Sequence, residues 1–258
     1  MSRIICQMYG LRHALAQDPV YCLQRVKEIG FEAVQLDGYR GHTREEIKEA
    51  LDRAELKVSS MHIKHELFRD QLEQIIYDCH FFACSEVYLK YIDDEYQNLA
   101  GYHATKIMLE KALPILRAEG ISLGLHSPEY DFNCLVDGEV VMDYICLNSE
   151  IAPEPDTYWL KVAERDPLTY CQKYKGRILT LHCKDIDTKA GALEDMERNI
   201  RECGAGEVDF MSLLSWGYQN GVRHFAIEQD YSAGDIFVSM KKSYEHLRAL
   251  EKKILTEE

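Results

Sequence analysis

The chain has 258 residues, 46% of them hydrophobic, and a formal net charge of −14. This length suits one α/β barrel, so we expect a single domain over residues 1–258. The negative charge argues against binding along a nucleic acid backbone, which depends on many lysine and arginine contacts to phosphate.

The nine cysteines are odd in number and contain no Cys-x-x-Cys pair. This pattern is typical of reduced, buried thiols and not of a disulfide framework or a zinc-thiolate site. The first residues pass straight into a strand-like run, and no segment is long and apolar enough to span a bilayer. We therefore expect a soluble, cytoplasmic protein that does not bind membranes.

The sequence repeats one pattern, in which an amphipathic helix ends and a short apolar strand follows. Glycines that favour a helix stop precede four of these strands, at Gly30, Gly120, Gly176 and Gly221. In chain order, the predicted strands cover 4–8, 31–36, 56–61, 86–89, 121–125, 152–156, 178–181 and 222–227. Dividing 258 residues by eight gives roughly 32 per unit, which suits a strand with its crossover helix.

Alternating strands and helices indicate a parallel sheet, and eight strands favour closure into a (β/α)8 TIM barrel. A doubly wound open sheet would show the same alternation. It is disfavoured because no Gly-x-Gly-x-x-Gly follows the first strand, and 204–206 (GAG) comes too late in the chain. A polar helical insertion is predicted over 192–203 and a charged C-terminal helix over 241–258.

Polar residues follow six of the predicted strands, at the point where each strand ends. These residues are His62, Lys90, His126, Asp156, His182 and Glu228. In a barrel the carboxyl ends of the strands face one mouth, so these side chains are expected to be neighbours. Any one of them alone is as often a structural residue. Their recurrence favours a functional site, and carboxylates with imidazole favour a divalent metal.

The sequence resembles the xylose-isomerase-like barrel superfamily, in the branch of sugar phosphate isomerases and epimerases. Relatives in that superfamily include inosose dehydratase, ketose 3-epimerases and endonuclease IV. The matching pieces follow family order over nearly the whole chain: 30–35 (GFEAVQ), 60–62 (SMH), 124–127 (GLHS), 156–159 (DTYW), 181–185 (LHCKD), 204–210 (GAGEVDF) and 227–230 (IEQD).

The resemblance implies one divalent ion held by a histidine and three carboxylates. Residue by residue, Asp156, His182 and Glu228 match three of these ligands. Mn²⁺ or Mg²⁺ is expected from the oxygen-rich donors, with Zn²⁺ or Co²⁺ as alternatives because of the imidazole.

The fourth metal ligand is where this chain departs from the epimerases, which carry a glutamate inside the fifth strand. The aligned residue here is Gly124, which has no side chain to bind with. Other relatives place an acid a few residues later, where Asp131 aligns and Glu129 stands two positions away. We expect Asp131 to be the ligand and keep Glu129 as the alternative.

A divalent ion that chelates a carbonyl and its neighbouring hydroxyl acidifies the α-carbon proton and stabilises the enediolate that forms. The residues predicted to transfer protons are Glu228, Lys184 and His62. A purely structural alternative for Lys184 is an ion pair with Asp185 or Asp230. The residues predicted to bind substrate are His126, Trp159, Lys90 and Tyr9.

The first functional hypothesis is a metal-dependent isomerase or epimerase of a small sugar or sugar derivative. The alternative is a metal-dependent lyase or dehydratase of a keto-sugar or keto-inositol, which the missing fifth-strand glutamate favours somewhat. An endonuclease IV-like phosphodiesterase and a non-catalytic sugar-binding barrel are disfavoured. Glu207 and Asp209 beside 204–206 favour an unphosphorylated sugar or polyol. The oligomeric state, a homo-oligomer included, stays open.

Overall fold

The computed structural model describes residues 2–126, 128, 130–193 and 195–257, apart from the side chains of Tyr130, Asp131 and Glu257. Eight strands form one sheet. In chain order they are β1 (Ile4–Gln7), β2 (Ala33–Leu36), β3 (Lys57–Ile63), β4 (Glu86–Leu89), β5 (Ser122–His126), β6 (Ala152–Glu154), β7 (Thr180–Cys183) and β8 (His224–Ile227).

Helices connect the strands on the outside of the sheet. They are α1 (Arg12–Gln17), α2 (Pro19–Ile29), α3 (Arg44–Arg53), α4 (His65–Asp70), α5 (Leu72–Phe81), α6 (Leu99–Ala118), α7 (Tyr130–Asn133), α8 (Val141–Cys146), α9 (Thr157–Val162), α10 (Pro167–Gln172), α11 (Met196–Asn199), α12 (Phe210–Gln219) and α13 (Ile236–Glu257). A 3₁₀ turn covers Asp94–Tyr96. None of the helices in the described ranges is long and apolar enough to cross a bilayer.

The strand order is β6-β5-β4-β3-β2-β1-β8-β7, and every neighbouring pair is parallel. A parallel bridge between Asp156 and His182 joins the two outer strands at their carboxyl ends. The backbone N–H of His182 donates to the carbonyl of Pro155 there, at 3.0 Å. The predicted (β/α)8 barrel is therefore confirmed.

Local sequence signals account for several helix boundaries. The carboxylate of Asp18 accepts a hydrogen bond from the N–H of Tyr21 at 2.9 Å and caps α2, which begins with Pro19. Gly30 ends this helix with φ 121°, a conformation that a residue with a side chain rarely adopts. This glycine therefore marks the predicted passage from helix to strand.

The predicted helical insertion over 192–203 is wrong for most of its length. Among the residues of this segment that the structure describes, four are helical, Met196–Asn199, and Ile200–Arg201 pairs antiparallel with Asp185–Ile186. The polar composition of this segment is compatible with a helix. The strand at its end forms because its partner, Asp185–Ile186, lies outside the segment and could not be recognised from the segment's own composition. The C-terminal helix is confirmed, and it begins earlier than predicted, at Ile236.

The Asp185 carboxylate organises the loop that carries the 204–210 motif. Its Oδ2 accepts from the N–H groups of Gly204 and Gly206, at 2.8 and 2.9 Å. Its Oδ1 accepts from Ile186 and Val208, at 2.9 and 3.0 Å. Both oxygens of this buried carboxylate are therefore used by backbone donors.

We expect Asp185→Asn to destabilise the fold, because an amide nitrogen would replace one acceptor and leave two buried N–H donors unpaired. The free energy of unfolding should fall by about 3 kcal/mol and the Tm by roughly 10 °C. Thermal and urea unfolding followed by circular dichroism would measure the change. Asp187→Asn, two residues further on and only partly buried, is the control and should change little. An unchanged Tm in Asp185→Asn would contradict this role.

Candidate metal centre

The carboxyl ends of β6, β7 and β8 bring three of the predicted residues together. His182 Nδ1 lies 3.0 Å from Glu228 Oε2 and 3.7 Å from Asp156 Oδ2. All three side chains are buried. Residues that are widely separated in sequence thus form one compact group of potential ligands.

His126, at the end of β5, adds a fourth potential ligand to this group. Its Nδ1 lies 2.8 Å from the backbone carbonyl of Lys90, which can only accept, so Nδ1 carries the proton in the neutral ring. The unprotonated Nε2 then faces the group, 3.6 Å from Asp156 Oδ2. The ligand atoms of His126, Asp156, His182 and Glu228 all lie within 4.8 Å of one another.

Asp156 is oriented by its position at the start of a helix. It caps α9, and its Oδ1 accepts from the backbone N–H of Tyr158 at 2.9 Å and of Trp159 at 3.4 Å. Those bonds fix the carboxylate and leave Oδ2 directed at His126 and His182. The DTYW motif therefore combines a helix cap with a ligand position.

His182 is oriented by a chain of hydrogen bonds on the opposite side of its ring. The amide nitrogen of Gln35 donates to Glu154 Oε1 at 2.7 Å, so the amide oxygen of Gln35 faces His182 Nε2, also at 2.7 Å. An amide oxygen only accepts, so Nε2 carries the proton. Burial alone lowers the pKa of His182, but the carboxylates of Glu154, Asp156 and Glu228 outweigh burial and raise it well above 6.5. Nδ1 therefore carries a proton as well, which it would have to release before it could bind a cation.

Although the Lys184 ammonium lies 3.1 Å from both carboxylate oxygens, four atoms of this group make no well-formed hydrogen bond among the residues that the structure describes. They are His126 Nε2, Asp156 Oδ2, His182 Nδ1 and Glu228 Oε2. Burying a polar atom without a partner is costly, and here the four point toward one another. Two carboxylate oxygens and two imidazole nitrogens are suitable ligands for a divalent cation, so the residues present fit the ion that the resemblance implies.

The side chain of Asp131 and the whole of Glu129 lie outside the described residues. The prediction that Asp131 is the fourth ligand therefore stays a prediction. His126 was predicted to bind substrate, and the structure places it within the group of potential metal ligands.

Lys184 lies beside the carboxylates of the group. Its Nζ is 3.1 Å from both Asp156 Oδ2 and Glu228 Oε2, and 2.9 Å from Asp230 Oδ2. Burial alone lowers the pKa of Lys184, but these three carboxylates outweigh burial and raise it well above 10.5. The ammonium is thus charged, and of the two ion-pair partners considered from the sequence it contacts Asp230, since Asp185 binds backbone N–H groups.

His62 lies next to the group, in a stacked arrangement with His182 at 5.0 Å between ring centroids. Its Nε2 lies 2.7 Å from Glu154 Oε2, and its Nδ1 lies 3.1 Å from the amide nitrogen of Gln7. The Gln7 amide oxygen contacts the N–H of Tyr9, so its nitrogen faces the ring. Burial lowers the pKa of His62 to about 3, against the opposing effect of Glu154, so the ring is neutral with both nitrogens in use.

Gly124 stands at the fifth-strand position that carries a glutamate in the epimerases, and a neighbouring side chain fills the space beside it. Gly124 pairs with Tyr88 in the sheet, and a Cβ on Gly124 would collide with the Tyr88 ring. The Tyr88 hydroxyl donates to Glu86 Oε2 at 3.2 Å, deeper in the barrel. Tyr88 therefore occupies the space that a larger residue at position 124 would need.

A cavity of about 510 Å³ opens above the group at the mouth of the barrel. It is large enough for a small sugar. Its walls include the four residues predicted to bind substrate and the three predicted to transfer protons: Tyr9, Lys90, His126, Trp159, His62, Lys184 and Glu228. The structure thus brings these predicted residues to one cavity.

Glu154, Gln35 and Gln7 were missed in the sequence, although each contributes to the buried hydrogen-bond network. The available signal was strand alternation. Glu154 stands two positions before Asp156, so both side chains point into the barrel, and a buried acid inside a strand needs a partner. Polar residues within strands can therefore indicate a buried site as well as polar residues at strand ends.

No model of a known protein family and no curated protein matches this sequence. Solved structures do match over nearly the whole chain. A sugar phosphate isomerase/epimerase from Parabacteroides distasonis has 20% identity and a TM-score of 0.76, covering 95% of this chain and 97% of that one. A xylose isomerase-like TIM barrel protein from Mycobacterium smegmatis, in complex with magnesium, has 16% identity and a TM-score of 0.72, covering 98% and 97%.

A probable 3-DHS dehydratase from Bacillus anthracis is similar too, with 13% identity and a TM-score of 0.70, covering 96% of this chain and 99% of that one. Identities this low establish a shared fold. The fold is that of the xylose-isomerase-like TIM barrels, as the sequence resemblance implied.

Proposed function

We propose that the chain is a metal-dependent isomerase or epimerase of a small sugar or sugar derivative. The observation that carries the proposal is the convergence of four potential ligand atoms within 4.8 Å of one another, next to a cavity of about 510 Å³ that His126 and Glu228 line. Structural neighbours named as an isomerase/epimerase, a magnesium complex and a dehydratase support the same class of chemistry.

Asp156, His182 and Glu228 would hold the ion, with His126 or Asp131 as a further ligand. When bound, a divalent cation would polarise the substrate carbonyl and stabilise the charge that develops as the neighbouring C–H proton leaves. Mg²⁺ or Mn²⁺ suits the carboxylates, and the imidazole nitrogens keep Zn²⁺ and Co²⁺ as alternatives.

The walls of the cavity supply the other functions. Lys184 is a charged donor that faces the cavity beside Glu228, so it can donate a hydrogen bond or a proton to a substrate oxygen. Trp159 and Tyr9 offer aromatic faces for a sugar ring. His62 stays a candidate for proton transfer, but its two engaged nitrogens suit a supporting role better, so we place the main role on Lys184.

A lyase or dehydratase is the second candidate. An epimerase with a two-glutamate mechanism needs a fifth-strand carboxylate opposite Glu228, and in this chain the Tyr88 ring fills the space at Gly124. A single base and an ammonium donor suffice to remove one proton and protonate a leaving hydroxyl group. This observation favours elimination over a copied two-glutamate epimerisation.

The test is to incubate Mn²⁺-loaded protein with a panel of keto-sugars and keto-inositols in deuterated water. Deuterium incorporation with an altered sugar indicates isomerisation or epimerisation, whereas loss of water indicates a lyase. NMR and mass spectrometry distinguish the two. No turnover of any panel member, together with no binding of divalent metal, would exclude both candidates.

We expect Glu154→Gln to weaken Mn²⁺ binding by about tenfold to a hundredfold, because Glu154 fixes the Gln35 amide and through it the His182 tautomer. Calorimetric titration measures the affinity. Glu86→Gln is a matched control, since Glu86 is also a buried carboxylate inside the barrel, ion-paired to Arg223 at 2.9 Å and away from the cavity. Both variants should lose stability, but only Glu154→Gln should lose affinity. Equal affinities in the two variants would refute this orienting role.

A further inference from the structure

Three cations surround the ring of Tyr9 at the mouth of the cavity. The guanidinium carbon of Arg12 and the ammonium nitrogen of Lys90 each lie 4.4 Å from the ring centroid. The guanidinium carbon of Arg40 lies 5.6 Å from it. They come from α1, the end of β4 and the loop after β2, so the fold gathers them from separate segments of a chain whose net charge is −14.

Within the described part of the chain, one carboxylate contacts this cation cluster of Arg12, Arg40 and Lys90. Lys90 Nζ lies 2.7 Å from Asp37 Oδ1, and Arg40 contacts the other oxygen of Asp37. Arg12 donates instead to the backbone carbonyls of Tyr9 and Asp230, at 3.0 and 3.2 Å. One carboxylate thus faces three cations, and Arg12 has no carboxylate partner among these residues.

The cations also repel one another. Burial and the charge of Arg12 lower the pKa of Arg40. Like charges brought together in a partly buried place are unfavourable unless a counter-ion binds there, so the arrangement calls for an anion.

Arg40 and Lys90 also share a second cavity. Both residues line this cavity of about 360 Å³, which adjoins the first one at His62 and Lys90. The cation cluster therefore lies where the two cavities meet.

The cation cluster adjoins the candidate metal centre. The backbone carbonyl of Lys90 faces His126 Nδ1, and Arg12 contacts the carbonyl of Asp230, two residues after Glu228. Tyr9, Arg12 and Lys90 line the same cavity as Glu228. A single small molecule in this cavity can therefore contact Arg12, Lys90 and Glu228 together.

We propose that the substrate carries an anionic group, a carboxylate or a phosphate, which the cation cluster of Arg12, Arg40 and Lys90 binds. That this anion belongs to the substrate rests on the proposed function, whereas anion binding itself requires no metal. The cluster lies outside the 204–210 loop, whose acidic residues favoured a neutral sugar in the sequence.

The test is a calorimetric titration of metal-free protein at low ionic strength with inorganic phosphate, glycolate and glycerol. We expect one anion to bind per chain and glycerol not to bind. Tighter binding of phosphate would indicate a phosphate ester, and tighter binding of glycolate a carboxylate. Because this titration contains no metal, an absence of anion binding would not contradict the proposed metal centre. Conversely, a protein that binds no metal could still bind the anion.

Two variants locate the anion. Arg40→Gln and Arg12→Gln should each weaken anion binding by about tenfold or more. Arg44→Gln is the matched control, because Arg44 is also a half-buried arginine over a tyrosine ring, 4.6 Å from the Tyr77 centroid, but it is paired with Asp78 outside the cavity. No anion binding by the wild-type chain, or equal affinities in both cluster variants and wild type, would overturn the proposal.

Discussion

Replacing Asp156 by asparagine should lower the affinity of the chain for Mn²⁺ by at least about a hundredfold. Removing a residue that only orients a metal ligand typically lowers metal affinity about tenfold to a hundredfold. Removing a charged ligand should lower the affinity by no less. Asparagine keeps an oxygen for the backbone N–H groups of Tyr158 and Trp159, so the start of α9 should persist. Calorimetric titration with Mn²⁺ measures the affinity, and circular dichroism verifies the fold.

The chain offers a closely matched control. Asp166 caps α10, which has six residues like α9, and accepts from the N–H of Thr169 at 2.7 Å. Asp166→Asn should therefore change any capping effect equally but leave Mn²⁺ affinity at the wild-type value. Equal affinities in Asp156→Asn and wild type would remove Asp156 from the metal centre. The same Mn²⁺ titration of His126→Gln and Asp131→Asn identifies the further ligand. The variant with the larger decrease in Mn²⁺ affinity is the one that lacks this ligand.

The three residues at the ends of β6, β7 and β8 could be predicted because the fold itself places them. In a closed parallel barrel, strand ends meet at one rim whatever the intervening sequence. His182 and Glu228 each close an apolar run, and Asp156 closes the weaker strand-like run that begins at Ala152, so local patterns locate all three at the rim. Their proximity to one another was thus encoded in patterns only a few residues long.

The hydrogen-bond network beneath them could not be predicted in the same way. Gln35 and Glu154 are 119 positions apart in sequence, and their contact depends on which inward side chains meet across the barrel. The role of His62 depends on the same contacts. A histidine at a strand end suggests proton transfer, but its neighbours Gln7 and Glu154 occupy both ring nitrogens.

The segment 192–203 shows the same limit for secondary structure. Its polar, helix-compatible residues indicated a helix, whereas Ile200–Arg201 pairs with Asp185–Ile186. The Asp185 carboxylate, on the partner strand, also accepts hydrogen bonds from backbone N–H groups of the loop that follows the segment. Tertiary contacts therefore override a local preference here.

Replacing Lys184 by methionine should lower turnover of the true substrate by about a hundredfold to ten-thousandfold, the usual effect of removing a general acid or base. The metal-free protein should also lose stability, because the buried carboxylates of Asp156, Glu228 and Asp230 would lose their ammonium partner. Mn²⁺ affinity should be equal to or higher than in the wild type, since the cation no longer competes with an ammonium for those oxygens.

This combination separates a catalytic lysine from a structural one. Lys173→Met is the control, because Lys173 forms an ion pair with Asp143 at 3.1 Å outside the cavity. It should lower stability without changing turnover. If Lys184 served only to neutralise the carboxylates, Mn²⁺ would replace its charge, and metal-loaded Lys184→Met would turn over at the wild-type rate. Wild-type turnover in that variant would therefore exclude Lys184 as a proton donor. It would leave another group at the cavity, such as the neighbouring Asp230, to supply the proton.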